Sequence, residues 1–315
     1  MYNNAMKILK KWFLGFLSFI LLFLAATFIF HRISLEKEQA SLTPMGQQVL
    51  IDGHQINVYV EGDGPETIVV LSGAGIASPI LDFKEVSESL SKRYKVVIVE
   101  RAGYGYSDDS NHSRDVMEVL SETRQALSQA NVKGLFIILS HSMASLESLA
   151  WQEKYPDEVK TLVGLDWALP ASYENLKQNQ ALITVAFWSS KIGLLRYFPE
   201  SFYIKNPTLI ESERKQYKLL AYKQLMSQAM LHESQTVKEN AKKVPSNINP
   251  KIPALLMVSN GDGTSFSQFE WQRYAERFAS DQSNVQVVYM DAPHDLYHYK
   301  SHEIVSQIED FLKSN

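Results

Sequence analysis

The sequence predicts an α/β protein built on a mostly parallel sheet, with a helical insertion late in the chain and one membrane helix in front of it. Three observations predict this. Five short apolar runs recur along the chain with helical patterns between them. Strand signals stop near residue 170 and resume after Pro250 and Pro253. Near the N-terminus, residues 12–30 form a stretch of 19 residues without a charge.

The uncharged stretch comes first in the chain. As a helix it spans roughly 28 Å, about one hydrocarbon core. Only Gly15, Ser18 and Thr27 in it are not apolar. A buried core helix would carry a polar face, and this one has none. A cleaved signal peptide would end in a small-x-small site, whereas this segment ends Phe28-Ile29-Phe30-His31-Arg32. It reads as an uncleaved anchor in a lipid bilayer. Lys7, Lys10 and Lys11 precede it, so the positive-inside rule expects residues 1–11 in the cytoplasm and the body outside. Residues 31–48 read as a polar linker, and residues 49–315 as the folded domain.

The charge balance constrains what that domain binds. The first 32 residues hold four basic and no acidic side chains, leaving 27 basic against 35 acidic in the rest. An acidic body makes nucleic acid an improbable partner, because phosphate contacts need a basic face. The chain has no cysteine, which excludes disulfides, thiolate metal sites and a cysteine nucleophile.

Within the domain, residues 55–60 and 67–71 are β-rich runs split by the turn signal Gly62-Asp63-Gly64-Pro65. Residues 95–99, 135–139, 161–165, 254–258 and 285–289 are the continuous apolar runs of strands buried on both faces. Helical patterns fall at about 82–92, 113–130, 143–154, 267–279 and 302–313. Strand–helix alternation implies a parallel sheet covered on both sides. Residues 170–250 hold many aromatics, including Tyr173, Phe187, Trp188, Tyr197, Phe202, Tyr203 and Tyr222, and read as a helical lid inserted into this domain.

In an open α/β sheet, function gathers at the carboxyl ends of the strands. After residues 135–139 comes Ser140-His141-Ser142-Met143-Ala144-Ser145, then a helix. A serine nucleophile needs a sharp strand-to-helix turn with small neighbours on both sides, and Ser142 has them. The Met143 N–H, at a helix N-terminus, then points where an oxyanion would form. A Ser-rich helix cap is the bland alternative. After residues 67–71 comes Ser72-Gly73-Ala74-Gly75, where the Ala74 N–H is the candidate second oxyanion donor. A dinucleotide fingerprint fails at this loop, because Ser78 stands at the third glycine position and Pro79 follows. After 254–258 comes Asn260-Gly261-Asp262-Gly263, where Asp262 could orient a histidine or simply make a turn. After 285–289 comes Pro293-His294-Asp295, where His294 is the candidate general base. His294, His298 and His302 also recur at i, i+4 and i+8, a spacing open to a metal reading. Pro293 and the preceding strand disfavour it by placing His294 on a loop.

The order Ser142…Asp262…His294, each residue after a strand, resembles that of the α/β-hydrolase superfamily, from about Gln55 to Leu312. Residues 100–108, Glu-Arg-Ala-Gly-Tyr-Gly-Tyr-Ser-Asp, are similar to the family's Asp-Arg-x-Gly-x-Gly-x-Ser loop. Two departures stand out: Ser72 replaces the histidine before the oxyanion loop, and Ser140, Ala144 and Ser145 replace the elbow glycines. The resemblance implies the α/β-hydrolase fold, a lid, and a mechanism in which Ser142 is nucleophile, His294 base and Asp262 its orienter. Met143 and Ala74 N–H would form the oxyanion hole. Asp166, ending an earlier strand, is a second candidate for the acid; Asp262 is preferred on its loop position. The expected activity is hydrolysis of a carboxylic ester or related acyl bond in a small-molecule substrate, carboxylesterase- or lipase-like, with no metal or organic cofactor. An aminopeptidase of the same fold is the enzymatic alternative, with Glu174, Glu200, Glu211 or Glu213 available to bind an amine. A catalytically silent, membrane-tethered binding protein is the alternative of another class. Epoxide and haloalkane hydrolases of this superfamily use an aspartate nucleophile, which Ser142 replaces.

Overall fold

A computed structural model describes residues 2–199 and 208–315. Its centre is an eight-stranded sheet in the order β1-β2-β4-β3-β5-β6-β7-β8. β1 (Gln47–Ile51) and β2 (His54–Glu61) pair antiparallel, as do β2 and β4 (Lys95–Glu100). β3 (Thr67–Leu71), β5 (Phe136–His141), β6 (Val159–Leu165), β7 (Ala254–Val258) and β8 (Val285–Tyr289) join β4 in a parallel array. The seven expected strands are present within one to two residues at most ends. β1 is an addition. Its hairpin turns on Asp52-Gly53, both at positive φ, the chemistry of a two-residue I′ turn.

The parallel strands bury both faces, which is why they read as unbroken apolar runs. Val69, Leu71, Val97, Val99 and Ile138 point to one side. There they meet Leu120 and Leu127 of α4 (Val116–Gln129), Leu149 and Trp151 of α5 (Ser145–Lys154), and Ala275 of α10 (Gln268–Ala279). Ile68, Val70, Val96, Ile98 and Ile137 point to the other. Their partners are Val86 and Leu90 of α3 (Lys84–Leu90) and Ile304, Ile308 and Phe311 of α11 (Ser301–Ser314). A short α2 (Pro79–Asp82) precedes α3.

The insertion between β6 and β7 is helical in its described part: α6 (Pro170–Asn175), α7 (Gln180–Ile192), α8 (Glu211–Gln224) and α9 (Gln228–Lys243). A single 3-10 turn, Leu194–Tyr197, follows α7. Phe202, Tyr203 and Glu200 lie outside the described residues.

α1 (Tyr2–Gln39) is one continuous helix, and its segment Met6–Gln39 is long and apolar enough to cross a membrane. Its continuity corrects the reading of residues 31–48 as a free polar linker. Leu35 to Ala40 are all good helix formers with no breaker before Pro44, so the helix runs on past the apolar stretch. This extension is docked on the insertion. Both terminal nitrogens of Arg196 donate to the two carboxylate oxygens of Glu38 at 2.7 Å, and Arg196 Nε donates to His31 Nδ1 at 2.7 Å. Gly193, at φ +91°, packs so closely on His31 that a Cβ there would fall 2.4 Å from His31 Cβ. Gln216 of α8 then bridges the next segment, donating to Ser41 O and accepting from Thr43 N.

Candidate active site

The chain order of the strands reverses at β3, which has β4 on one side and β5 on the other. The crevice at their carboxyl ends is where such a sheet holds its reactive groups. Ser142 follows β5 directly, at φ +52°, in a 3-10 turn that leads into α5. A non-glycine residue held in the left-handed region is strained, and surrounding packing must hold it there. Part of that packing is the loop after β3: a Cβ on Gly73 would lie 2.6 Å from His141 Nδ1 and 3.0 Å from Ser142 Cβ. Only glycine lets the two loops approach this closely.

Ser142 Oγ lies 2.8 Å from His294 Nε2, in position to donate its proton. His294 Nδ1 donates to Asp166 Oδ2 at 2.6 Å. The carboxylate facing His294 is therefore that of Asp166, and the preference for Asp262 is corrected. Asp166 follows β6 at φ +48° and is fully buried. Its two oxygens also accept from Ser259 N (2.7 Å), Ser259 Oγ (2.7 Å) and Trp271 Nε1 (2.8 Å). These donors compensate the cost of a buried carboxylate. Asp262 takes the role of an Asp-Gly turn. Its backbone carbonyl accepts from His294 N at 2.7 Å and so fixes the loop, while its side chain is exposed.

The elbow's departures from glycine are accommodated by hydrogen bonds. Ser140 Oγ accepts from Ser148 Oγ at 2.7 Å and from Trp167 Nε1 at 2.8 Å. Ser145 Oγ donates to Ala168 O at 2.7 Å. Behind Ser142, the His141 ring lies 4.7 Å from the His294 ring, and its Nε2 donates to His294 O at 3.2 Å. Burial, with the neighbouring His294, lowers the His141 pKa to about 3, so its ring is neutral. Of the other two spaced histidines, His298 pairs with Asp82 at 3.3 Å and His302 faces Glu85 from an exposed position. The three imidazoles thus serve different partners.

The loop carrying Ala74 is tied down from below. Arg101, buried, donates to Ser72 O at 2.7 Å and Gly73 O at 3.2 Å. Its charge is balanced by Glu233 of α9 at 3.2 Å and Glu147 of α5 at 3.9 Å. Glu233 also accepts from Tyr104 Oη at 2.5 Å. These carboxylates raise the Arg101 pKa against the lowering by burial, so the guanidinium stays charged. In the same Glu-Arg motif, burial pushes the Glu100 carboxyl up to about 7. It accepts from Tyr106 N, Asn57 Nδ2 and Ile80 N, and sits where a Cβ on Gly105 would lie 2.0 Å away. Sequence reasoning found the motif but not these roles, nor those of Ser259 and Trp271.

A cavity of about 230 Å³ opens beside Ser142. Ala74, Met143 and His294 line it together with the serine. Tyr173, Leu176, Met230, Val237, Phe266 and Trp271 supply an apolar wall, and Gln178, Ser172, Ser234 and Thr264 its polar groups. Helices α6 and α9 of the insertion thus form part of the wall.

Residues 67–192 match the model of the alpha/beta hydrolase fold family. The chain is 32% identical over 317 residues to the uncharacterized protein YbdG of Bacillus subtilis (strain 168), covering 98% of each chain. Among solved structures it is similar to an esterase from Exiguobacterium antarcticum, with a TM-score of 0.65 at 17% identity, covering 85% of this chain and 100% of that one. An epoxide hydrolase from Bacillus megaterium superimposes with a TM-score of 0.65 at 15% identity and the same coverage. At such identities the likeness speaks for the fold alone, and it agrees with the family model. The chain belongs to the α/β-hydrolase superfamily.

Proposed function

We propose that the protein is a membrane-anchored serine hydrolase that cleaves a carboxylic ester or related acyl bond. The observation that carries this reading is the continuous line of hydrogen bonds from Ser142 Oγ through His294 to Asp166. In this mechanism Ser142 attacks the acyl carbonyl and passes its proton to His294 Nε2. Asp166 holds the imidazole tautomer and stabilises the imidazolium. The N–H groups of Ala74 and Met143 take the oxyanion. His294 then protonates the leaving group, and a water, deprotonated by the same imidazole, releases the acid.

The cavity supports an ester over a peptide N-terminus. The described residues lining it include no carboxylate to pair with an ammonium group, and most of its wall is apolar. Glu174 is exposed, and Glu213 pairs with Lys84 at 2.7 Å, so neither serves that role. The α6–α9 insertion would act as the lid that sets acyl choice. α1 would anchor the chain in the bilayer, with the N-terminal lysines on the cytoplasmic side and the hydrolase domain outside.

The test is labelling of the membrane fraction with a fluorescent fluorophosphonate, wild type beside Ser142→Ala. Labelling of the wild type alone is expected. Equal labelling of both would remove Ser142 from the nucleophile role, and no labelling of folded wild type would favour a silent binding protein.

A further inference from the structure

The insertion touches α1 within its uncharged run. Tyr197 Oη and Thr27 Oγ1 are 3.2 Å apart, and the Tyr197 ring lies 5.9 Å from that of Phe23. Both partners belong to the uncharged run that ends at Phe30. At 1.5 Å per residue, Thr27 is roughly 4 Å and Phe23 roughly 10 Å inside that end. If α1 spans a bilayer over this run, Tyr197 lies below the membrane surface, within the depth of an interfacial segment.

The helix leading into this contact is apolar on its outer side. α7 (QALITVAFWSSKI) has no acid, and its one base is Lys191 in the last turn. Leu182, Val185 and Trp188, at i, i+3 and i+6, are each more than half exposed, and Phe198 extends the same surface beyond Tyr197. Exposed apolar groups clustered in this way mark an interaction surface. What would cover them follows from what lies next to them. The neighbouring face of α1 is itself exposed and apolar, from Phe16 to Phe30. Arg32 directly follows the uncharged run, where a cation suits the headgroup level, while Lys191 and Arg196 nearby are paired with Asp109 and Glu38.

We propose that α7 and the Leu194–Tyr197 turn form a second membrane contact, dipping into the outer interface of the bilayer that α1 crosses. The proposal rests on the anchor reading of α1. It also deepens the functional reading. Gln178 and Leu176, just before α7, line the reactive cavity, so one end of the membrane-contacting helix stands at the mouth of the site. Substrate would then come from the lipid phase as an uncharged, membrane-dissolved acyl ester.

The chain's lack of cysteine makes the test direct. Single variants Leu182→Cys, Trp188→Cys, Phe28→Cys and Leu135→Cys of the full chain, each checked for an unchanged unfolding midpoint, are spin-labelled. They are reconstituted in phosphatidylcholine–phosphatidylglycerol vesicles. Accessibility to oxygen and to a water-soluble nickel chelate is then compared. The expected result is a several-fold preference for oxygen at 28, 182 and 188, and the reverse at 135. Preference for the chelate at 182 and 188 with oxygen preference at 28 would overturn the proposal while leaving the anchor standing. Chelate preference at 28 would overturn the anchor, and the proposal with it. Shielding from both reagents with spin–spin broadening at 188 would put a second copy of the chain on this face, and would also overturn it.

Discussion

The indole N–H of Trp271 reaches Asp166 Oδ1 at 2.8 Å, on the oxygen opposite the one that takes His294. The carboxylate is thus held from α10 and the loop after β7, as well as from the strand that carries it.

In the proposed mechanism this gives the acid's role to Asp166 alone. Asp166→Asn is expected to lower the rate of fluorophosphonate labelling and of ester hydrolysis by about 10³–10⁴-fold, because the amide fixes the wrong imidazole tautomer. Asp262→Asn keeps its backbone carbonyl and is expected to change either rate by less than about threefold. Measuring both variants side by side decides between them. A large loss in the second and not the first would reverse the assignment.

Gly73→Ala tests the closeness of the two loops. The added methyl would press on His141 Nδ1 at 2.6 Å and Ser142 Cβ at 3.0 Å. Overpacking of this kind costs about 1–3 kcal/mol. The expected outcome is a lower urea midpoint together with a loss of labelling, since the group displaced is the nucleophile's own turn. An unchanged labelling rate would show that the loop has room to move.

Arg101 acts through the loop it holds. A lysine could not donate to Ser72 O and Gly73 O while facing Glu233, so Arg101→Lys should loosen the Ala74 N–H. The expectation is a fall of about 10–100-fold in kcat, short of the loss of a whole oxyanion donor. KM should stay within about threefold, because the cavity wall is untouched. A loss confined to KM would point to the wall instead.

Glu100 gives a signed pH effect. Burial pushes its folded pKa up to about 7, against 4.5 for an exposed carboxyl. Its contribution to stability is full below pH 4.5, where both states are protonated, and is lost as pH rises towards 7 and the unfolded chain alone gives up its proton. Glu100→Gln removes that loss. Whatever its constant cost, the variant should gain on the wild type by about 3 kcal/mol between pH 4.5 and 7. Denaturant unfolding at the two pH values reads the difference; a gap that does not change with pH would rule the coupling out.

Most of the fold was legible because the parallel strands are buried on both faces and so write themselves as apolar runs. Ser142 and His294 are legible for a related reason: Ser142 comes directly after β5, and His294 lies on the loop that leaves β8. Asp166 also follows a strand, yet local pattern favours Asp262. What separates them is register. Leu165 pairs with Met257, which sets Asp166 beside Ser259 and within reach of His294, and no local pattern encodes that pairing. The glycines beside Asp262 suggest reach, but its side chain is exposed while Gly263 packs against His294. Strand β1 hid behind a run of only five residues, although Asp52-Gly53 marked its hairpin. The extension of α1 past residue 30 was misread because polar helix formers and polar linkers share a composition. The contacts of Arg196 with Glu38 and of Gly193 with His31 distinguish them.

The clamp between Arg196 and Glu38 makes α1 and the domain one lever. In a bilayer, a helix whose apolar length differs from the hydrocarbon thickness tilts to match it. With a flexible linker that tilt would end at the surface. If α1 crosses a bilayer as proposed, the forked pair and the close seat of Gly193 on His31 would pass that tilt on and swing the mouth of the cavity against the membrane plane. Membrane thickness would then become a setting of the protein's own geometry.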